Sequence, residues 1–312
     1  MPWKRGYTVS DERTLDLVEW PDGARAAVVV TVDLSPDGGP EGVTARDLES
    51  EDAEYGIEVG LGRVLGLLER HRVAATFAVP AAVAEAWPDR IREIVARGHE
   101  VAAHGLRHED PSGLGRTEEE RRIARATDTL TAVAGTRPAG WYSLPRAGDR
   151  YAGGALSPHT VDLLIDAGYE YLGNGLADDI PHYWVTDAAA RRCLLAMPYY
   201  YHSDDQFFLM FPAPGRGSAL ERPAPLSANW RGELEAARAF GRCFAMTIHP
   251  RLIAWGGRLT LLEEALARLA EGPRVFTGTA LACARWFLAA YPPTTALRLE
   301  PSIWQDHPGS LS

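Results

Sequence analysis

The chain is short of several things that would mark particular classes of protein. Among 312 residues there are only three cysteines, Cys193, Cys243 and Cys283. They are far apart and odd in number, so no disulfide framework or CxxC metal site is expected, and each reads as a reduced, mostly buried thiol. No run approaches the roughly 18 uninterrupted apolar residues of a membrane helix. Net positive charge is also missing: the formal charge is −10, which argues against nucleic acid or an anionic membrane as partner. No GxGxxG opens a helix after the first strand and no GxxxxGK[ST] occurs, so nucleotide binding loses its main support. The first twenty residues carry an early basic pair but no apolar core of signal-peptide length, and a cytoplasmic location is the expectation. There is no fixed-period repeat or low-complexity tract.

What remains is an ordinary globular composition, 46% hydrophobic and 24% charged. Apolar β-rich runs at 24–32, 73–79, 100–103, 169–172, 243–248 and 275–277 read as buried strands. Helical spacing at 59–71, 87–97, 117–133, 157–167, 232–241, 258–269 and 280–290 falls between or after them. Thr117 with Glu120 forms a capping-box pattern, and Gly98, Gly135 and Gly168 are C-terminal stops. Residues 41–55 read as an acidic surface loop, 178–184 as a polar-aromatic loop, and 212–228 as a long Pro/Gly-rich loop. The alternation favours an α/β fold with parallel strands, either a barrel or a doubly wound sheet.

Chemistry concentrates at strand ends. Asp33 closes the first run, His104 and His108 follow the third, and His249 follows CFAMTI. Parallel α/β folds gather these ends on one face, so the four can converge. A carboxylate, a histidine pair and a lone histidine are what hydrolysis of an unactivated C–N bond needs. One group takes a proton from water, another polarises the carbonyl, and an acid protonates the leaving nitrogen. Glu109 is a candidate to orient a histidine. Trp141, Tyr142, Trp184, Tyr199 and Tyr200 are candidates to line a pocket, and Arg146 and Arg251 to recognise a carboxylate or carbonyl. For the aromatics and the arginines, packing and ion pairing are the default alternatives. His99, His182 and His202 read as structural.

TVD, GHEVAAHGLRHED, GWYSLP, DDIPHYW and MTIHPR, in this order over roughly residues 19–290, resemble the signature segments of the polysaccharide deacetylase superfamily. The resemblance is closest to its branch of allantoinase-like and cyclic-imidase-like enzymes and related peptidoglycan deacetylases. It implies a distorted (β/α)7 TIM-like barrel forming one catalytic domain across 1–312, and a homo-oligomer, dimer or tetramer. It implies a hydrolase of non-peptide C–N bonds, with Asp33 as general base on water and His249 as general acid. His104 and His108 match the metal-binding histidines. Ser35 stands where metal-dependent members carry a second aspartate, and a neutral hydroxyl is a poor ligand for Zn²⁺ or a similar divalent ion. Asp37 is the alternative third ligand. The absence of an export signal favours a small amide, imide or ureide over a cell-wall polymer as substrate. The competing readings are a polysaccharide or peptidoglycan N-deacetylase and a non-catalytic relative that only binds a small ligand.

Overall fold

The computed structural model describes residues 8–9, 18–146, 149, 154–187, 189–209, 223–296 and 299–300. Its sheet strands are β1 (Ala26–Asp33), β2 (Thr76–Val79), β3 (Glu100–Ala103), β4 (Gly140–Trp141), β5 (Tyr171–Gly175), β6 (His182–Asp187), β7 (Arg192–Pro198), β8 (Cys243–Ile248) and β9 (Val275–Gly278). Eight of them run parallel, and seven of these follow one another in the order β8-β1-β2-β3-β4-β5-β7. An isolated parallel bridge, Asp204 to Thr247, spans the seam between the segment after β7 and strand β8. The result is the distorted seven-stranded barrel that the resemblance implies. Strand β9 pairs with the N-terminal half of β1, and β6 lies antiparallel on β7.

All eight residues of β1 are buried, because side chains of opposite parity pack on opposite faces. Ala26, Val28, Val30 and Val32 join the outer core, where helices α1 (Leu61–His71), α2 (Ala81–Ala86), α3 (Pro88–Ala96), α4 (Arg116–Ala134), α5 (Thr160–Asp166), α6 (Pro223–Phe240), α7 (Pro250–Ile253) and α8 (Gly256–Leu269) cover the sheet. Ala27 and Val29 face the barrel interior with Tyr142, Tyr171, Leu195 and Met197. Helix α9 (Ala280–Ala290) plugs one end of that interior through Ala280, Cys283, Ala284 and Phe287. Two glycines make room for the interior tyrosines. A Cβ at Gly140 would stand 2.0 Å from the Tyr171 ring, and one at Gly173 would stand 2.1 Å from Tyr142. Inside, Glu100 accepts hydrogen bonds from Thr76 Oγ1 (2.8 Å), Tyr171 OH (2.8 Å) and Leu281 N (2.9 Å), while burial pushes its pKa up.

Several local expectations need correction. Residues 41–55 are largely helical. Thr44 and Asp47 form a reciprocal capping box, Ser50 caps the next turn through Ala53 N, and the chain runs through a π-helical turn, Tyr55–Gly60, into α1. These capping residues outweigh the acidic composition. Helix α4 starts at Arg116 with Gly115 as its cap, so Thr117 sits in the first turn and forms no capping box. The 178–184 segment is only partly loop, because His182 begins β6, where cross-strand pairing with β7 satisfies its backbone. Of the expected 212–228 loop, 212–222 lies outside the described residues and Pro223 already begins α6; proline is well tolerated in a first helical turn. The three cysteines are free. No helix among the described residues is long and apolar enough to cross a membrane.

Candidate active site

The carboxyl ends of β1, β3 and β8 bring Asp33, His104 and His249 together, all buried. Asp33 Oδ2 lies 3.3 Å from His249 Nε2 and 3.5 Å from His104 Nε2, yet it accepts no hydrogen bond. Its other oxygen, Oδ1, accepts from the backbone N–H of Ser35 at 2.7 Å. Burial alone would raise the Asp33 pKa. Attraction from the neighbouring His104 and His249 rings outweighs burial and holds it well below the usual carboxylate range. Asp33 is therefore ionised at neutral pH, with one oxygen fixed and one free to accept a proton.

His249 is gripped from behind. Its Nδ1 lies 2.7 Å from Asp205 Oδ1, and its backbone N–H donates to the same carboxylate at 3.0 and 3.2 Å. Burial lowers an imidazole pKa, but Asp205 and then Asp33 reverse the effect and raise it to about 10. The ring is thus an imidazolium at neutral pH. Nδ1–H points to Asp205, and Nε2–H is left on the Asp33 side. Asp204 stands beside this pair, 3.7 Å from Nδ1. It accepts from Tyr199 OH (2.7 Å) and from Gln206 N and Nε2 (3.0 Å each). Burial raises its pKa, with Asp205 adding to the rise and His249 opposing it, to about 6.

The histidine pair has a different environment. His104 Nδ1 donates to the Tyr142 carbonyl at 3.0 Å, because a carbonyl can only accept, so in the neutral ring Nε2 is bare and faces Asp33. His108 Nε2 donates likewise to the Leu144 carbonyl at 2.8 Å, leaving Nδ1 bare. The rings stand 3.9 Å apart. Burial, reinforced by neighbouring His104, depresses the His108 pKa well below its ordinary value and keeps the ring neutral. His108 adopts the left-handed region at φ 56°, held by Arg146 Nη1 donating to its carbonyl at 3.0 Å.

Two groups of side chains offer metal-ligand atoms. Asp204, Asp205 and His249 form a buried triad whose ligand atoms lie within 4.8 Å of one another, close enough to hold an ion. Their inward atoms are, however, already engaged with one another, with Tyr199 and with Gln206, which makes the triad a device for holding His249. The second group contains three buried atoms without partners: Asp33 Oδ2, Ser35 Oγ and His104 Nε2. His104 Nε2 and Ser35 Oγ, with the bare Nδ1 of His108, fit a divalent ion, and Asp33 Oδ2 is left beside them as the base. With a neutral oxygen in place of a second aspartate, the site offers an ion less charge than a two-aspartate site.

Other candidates are placed elsewhere. Asp37 is exposed and lines an outer cavity of about 790 Å³ instead of serving as a third ligand. Glu109 orients no histidine: it accepts from Arg107 N at 2.6 Å and pairs with Arg122 at 3.5 Å, ordering its own loop. Trp141 and Tyr142 line a small cavity together with His104 and His108, whereas Trp184 and Tyr199 do not line the outer cavity. Trp141 donates to Ser143 Oγ and packs edge-on against Tyr169. The Tyr142 hydroxyl contacts Thr31, Trp184 packs on the outer core, and Tyr199 supports Asp204. Tyr200 is exposed against His202. Arg146 is taken up by Asp149, Asp110 and the His108 carbonyl, whereas Arg251 lines the outer cavity. His99 accepts from Ala75 N, and His202 pairs with Glu233, both structural. Asp204 and Asp205 were missed in the sequence; an adjacent carboxylate pair just after the aromatic run of 199–201 was the available signal.

Comparison with known proteins bears on this arrangement. A family model described as polysaccharide deacetylase matches residues 52–172, which include both site histidines. A peptidoglycan deacetylase of Helicobacter pylori is 27% identical over 165 residues, 51% of this chain and 52% of that protein. A chitooligosaccharide deacetylase of Sinorhizobium fredii is 49% identical over 67 residues, 22% of this chain and 31% of the other. The chain thus spans at most about half the length of these two curated relatives. A solved Mycobacterium smegmatis structure assigned to the polysaccharide deacetylases superposes with TM-score 0.74 at 29% identity, covering 88% of this chain and 94% of that one. PuuE allantoinase gives the same TM-score and coverage at 22% identity, a likeness of fold.

Proposed function

We propose that this chain, a member of the polysaccharide deacetylase superfamily, is a hydrolase of that family's type and cleaves the non-peptide C–N bond of a small amide, imide or ureide. In this reading the whole chain is one catalytic domain. The observation that carries it is the line from Asp33 through His249 to Asp205, an ionised carboxylate facing a protonated imidazole whose far side is held by a second carboxylate. Asp33 Oδ2 takes the proton of the attacking water. His249 Nε2–H then protonates the departing nitrogen, while Asp205 keeps the ring in the right orientation and stabilises its charge. The backbone N–H of Ser35 holds Asp33 Oδ1, so the carboxylate presents Oδ2 throughout.

A divalent ion, when bound by His104 and His108 with Ser35 as a neutral oxygen, would polarise the scissile carbonyl. His104 and His108 fix their bare nitrogens toward that place by donating their other N–H groups to the Tyr142 and Leu144 carbonyls.

The small-substrate reading is supported by the burial of Asp33, His104 and His249, each at most 2% exposed among the described residues, which favours a compact substrate over a long polymer. The alternative, N-deacetylation of a sugar polymer, is favoured by what the curated relatives are called. A panel containing a linear amide, a cyclic imide, a ureide and an N-acetylglucosamine oligomer separates the two. Turnover of a small compound, abolished by Asp33→Asn, is the expected result. Turnover of the oligomer alone would overturn the substrate class, and no turnover of any would favour the non-catalytic reading.

A further inference from the structure

Arg251 lies two residues after His249 and is 92% buried, since only 8% of it remains exposed. Its guanidinium is half used. Nε donates to the Ser35 carbonyl at 3.2 Å, and Nη1 pairs with Asp52 Oδ2 at 3.3 Å. Nη2 has no acceptor among the described residues. A guanidinium carries five N–H donors, and the Nη2 pair is left for whatever occupies the cavity that Arg251 lines. The side chain also lines the 790 Å³ cavity, with Leu252, Trp255 and Leu209 as apolar walls. That volume falls within the range of small-ligand sites, about 300–1,000 Å³. Through Ser35, whose N–H holds Asp33, the guanidinium is connected directly to the catalytic loop.

Three carboxylates also line this cavity, and their engagement decides what it can take. Asp47 is occupied by Thr44, whose N and Oγ1 donate to it at 2.8 and 2.7 Å. Asp52 is paired with Arg251 itself. Asp37 is exposed to solvent. Arg258 donates to the Leu252 carbonyl. The unfilled donor at the inner wall is therefore Nη2 of Arg251, and the planar fork it forms with Nη1, which Asp52 shares, matches a carboxylate.

The geometry points to Arg251 as the anchor for a carboxylate on the substrate. On the reading of a small C–N bond hydrolase, it makes the substrate class amides, imides or ureides that carry a free carboxylate. The apolar walls cover the linker, and a narrow cleft lined by Arg251, Asp52, Ser35 and Asp33 lies on the catalytic side of the anchor.

Ligand-observed NMR titration of the full chain with succinamate and succinamide, amides of equal length that differ in one carboxylate, tests this. The same spectra read hydrolysis. Succinamate should bind at least tenfold tighter than succinamide. Arg251→Gln should bring the two within about twofold, and Asp52→Asn, which frees Nη1 at a half-exposed position, should widen the ratio severalfold. A ratio near one in the native chain, no detectable binding of either, or a ratio unchanged by Arg251→Gln overturns the anchor. If Arg251→Gln does not fold, Asp52→Asn decides, and an unchanged or smaller ratio overturns it. Tight succinamate binding without product leaves the anchor standing and removes the hydrolytic reading alone.

Discussion

His249 and His108 are both fully buried near the same carboxylate, and they sit in opposite charge states. Burial acts on both in the same direction, so it cannot be what separates them. His249 has Asp205 at 2.7 Å and Asp33 at 3.3 Å, and its pKa rises to about 10. His108 faces a carbonyl acceptor and another imidazole, and its pKa falls. One ring is thereby set to give a proton, the other to offer a lone pair. Local carboxylates divide the labour of acid and ligand between two residues of the same type.

The largest effect is expected from removing the partners that face each other. Asp33→Asn or His249→Gln should lower kcat/KM by about 10²–10⁴-fold, read by steady-state kinetics on whichever small amide is turned over. Asp205→Asn should cost less. Its distinguishing sign is an alkaline limb of the kcat profile moved well below pH 10, since His249 loses the neighbour that does most to keep it protonated. Ser35→Asp should alter the other ring's side of the comparison by adding a second negative charge beside the bare His104 nitrogen. Divalent-ion affinity should rise at least tenfold by competition with a chelator, with His249 still protonated at neutral pH.

Stability should show the contrast on opposite limbs. The folded His249 pKa is raised, so its contribution is fully present below pH 6.5 and is lost as pH rises through about 10. The folded His108 pKa is depressed, so its contribution is present above pH 6.5 and is lost as pH falls through the lower, folded value. Denaturant unfolding of His108→Gln should therefore remove part of the acid-side loss, and unfolding of His249→Gln part of the alkaline-side loss. The smallest change is expected from Tyr199→Phe. It removes one of three donors to Asp204, should cost about 1 kcal/mol in the same unfolding assay, and should leave the His249 titration nearly in place.

Asp33, His104 and His249 were legible in the sequence because each ends or directly follows an apolar strand, with His108 four residues on in the loop after His104, and parallel strands collect their carboxyl ends. Asp205 was not. It belongs to a turn, brought to His249 by a single bridge to Thr247 that no periodicity records. Ser35 was visible as a departure from the family pattern, but its unpartnered hydroxyl and its backbone grip on Asp33 appear only in three dimensions. The helices in 45–54 announce themselves through Thr44 and Ser50, yet composition masked them. The aromatic candidates divide: Trp141 and Tyr142 line a small cavity beside His104 and His108, whereas Tyr199 supports Asp204 and Tyr200 is exposed.

The central claim is that His249 is an imidazolium held between Asp205 and Asp33. Titration of ¹⁵N-histidine-labelled protein by NMR tests it most directly, with His249 assigned by its loss in His249→Gln. A ring protonated on both nitrogens at pH 7 and deprotonating near pH 10 is the predicted result. A neutral ring at pH 7 would contradict the account.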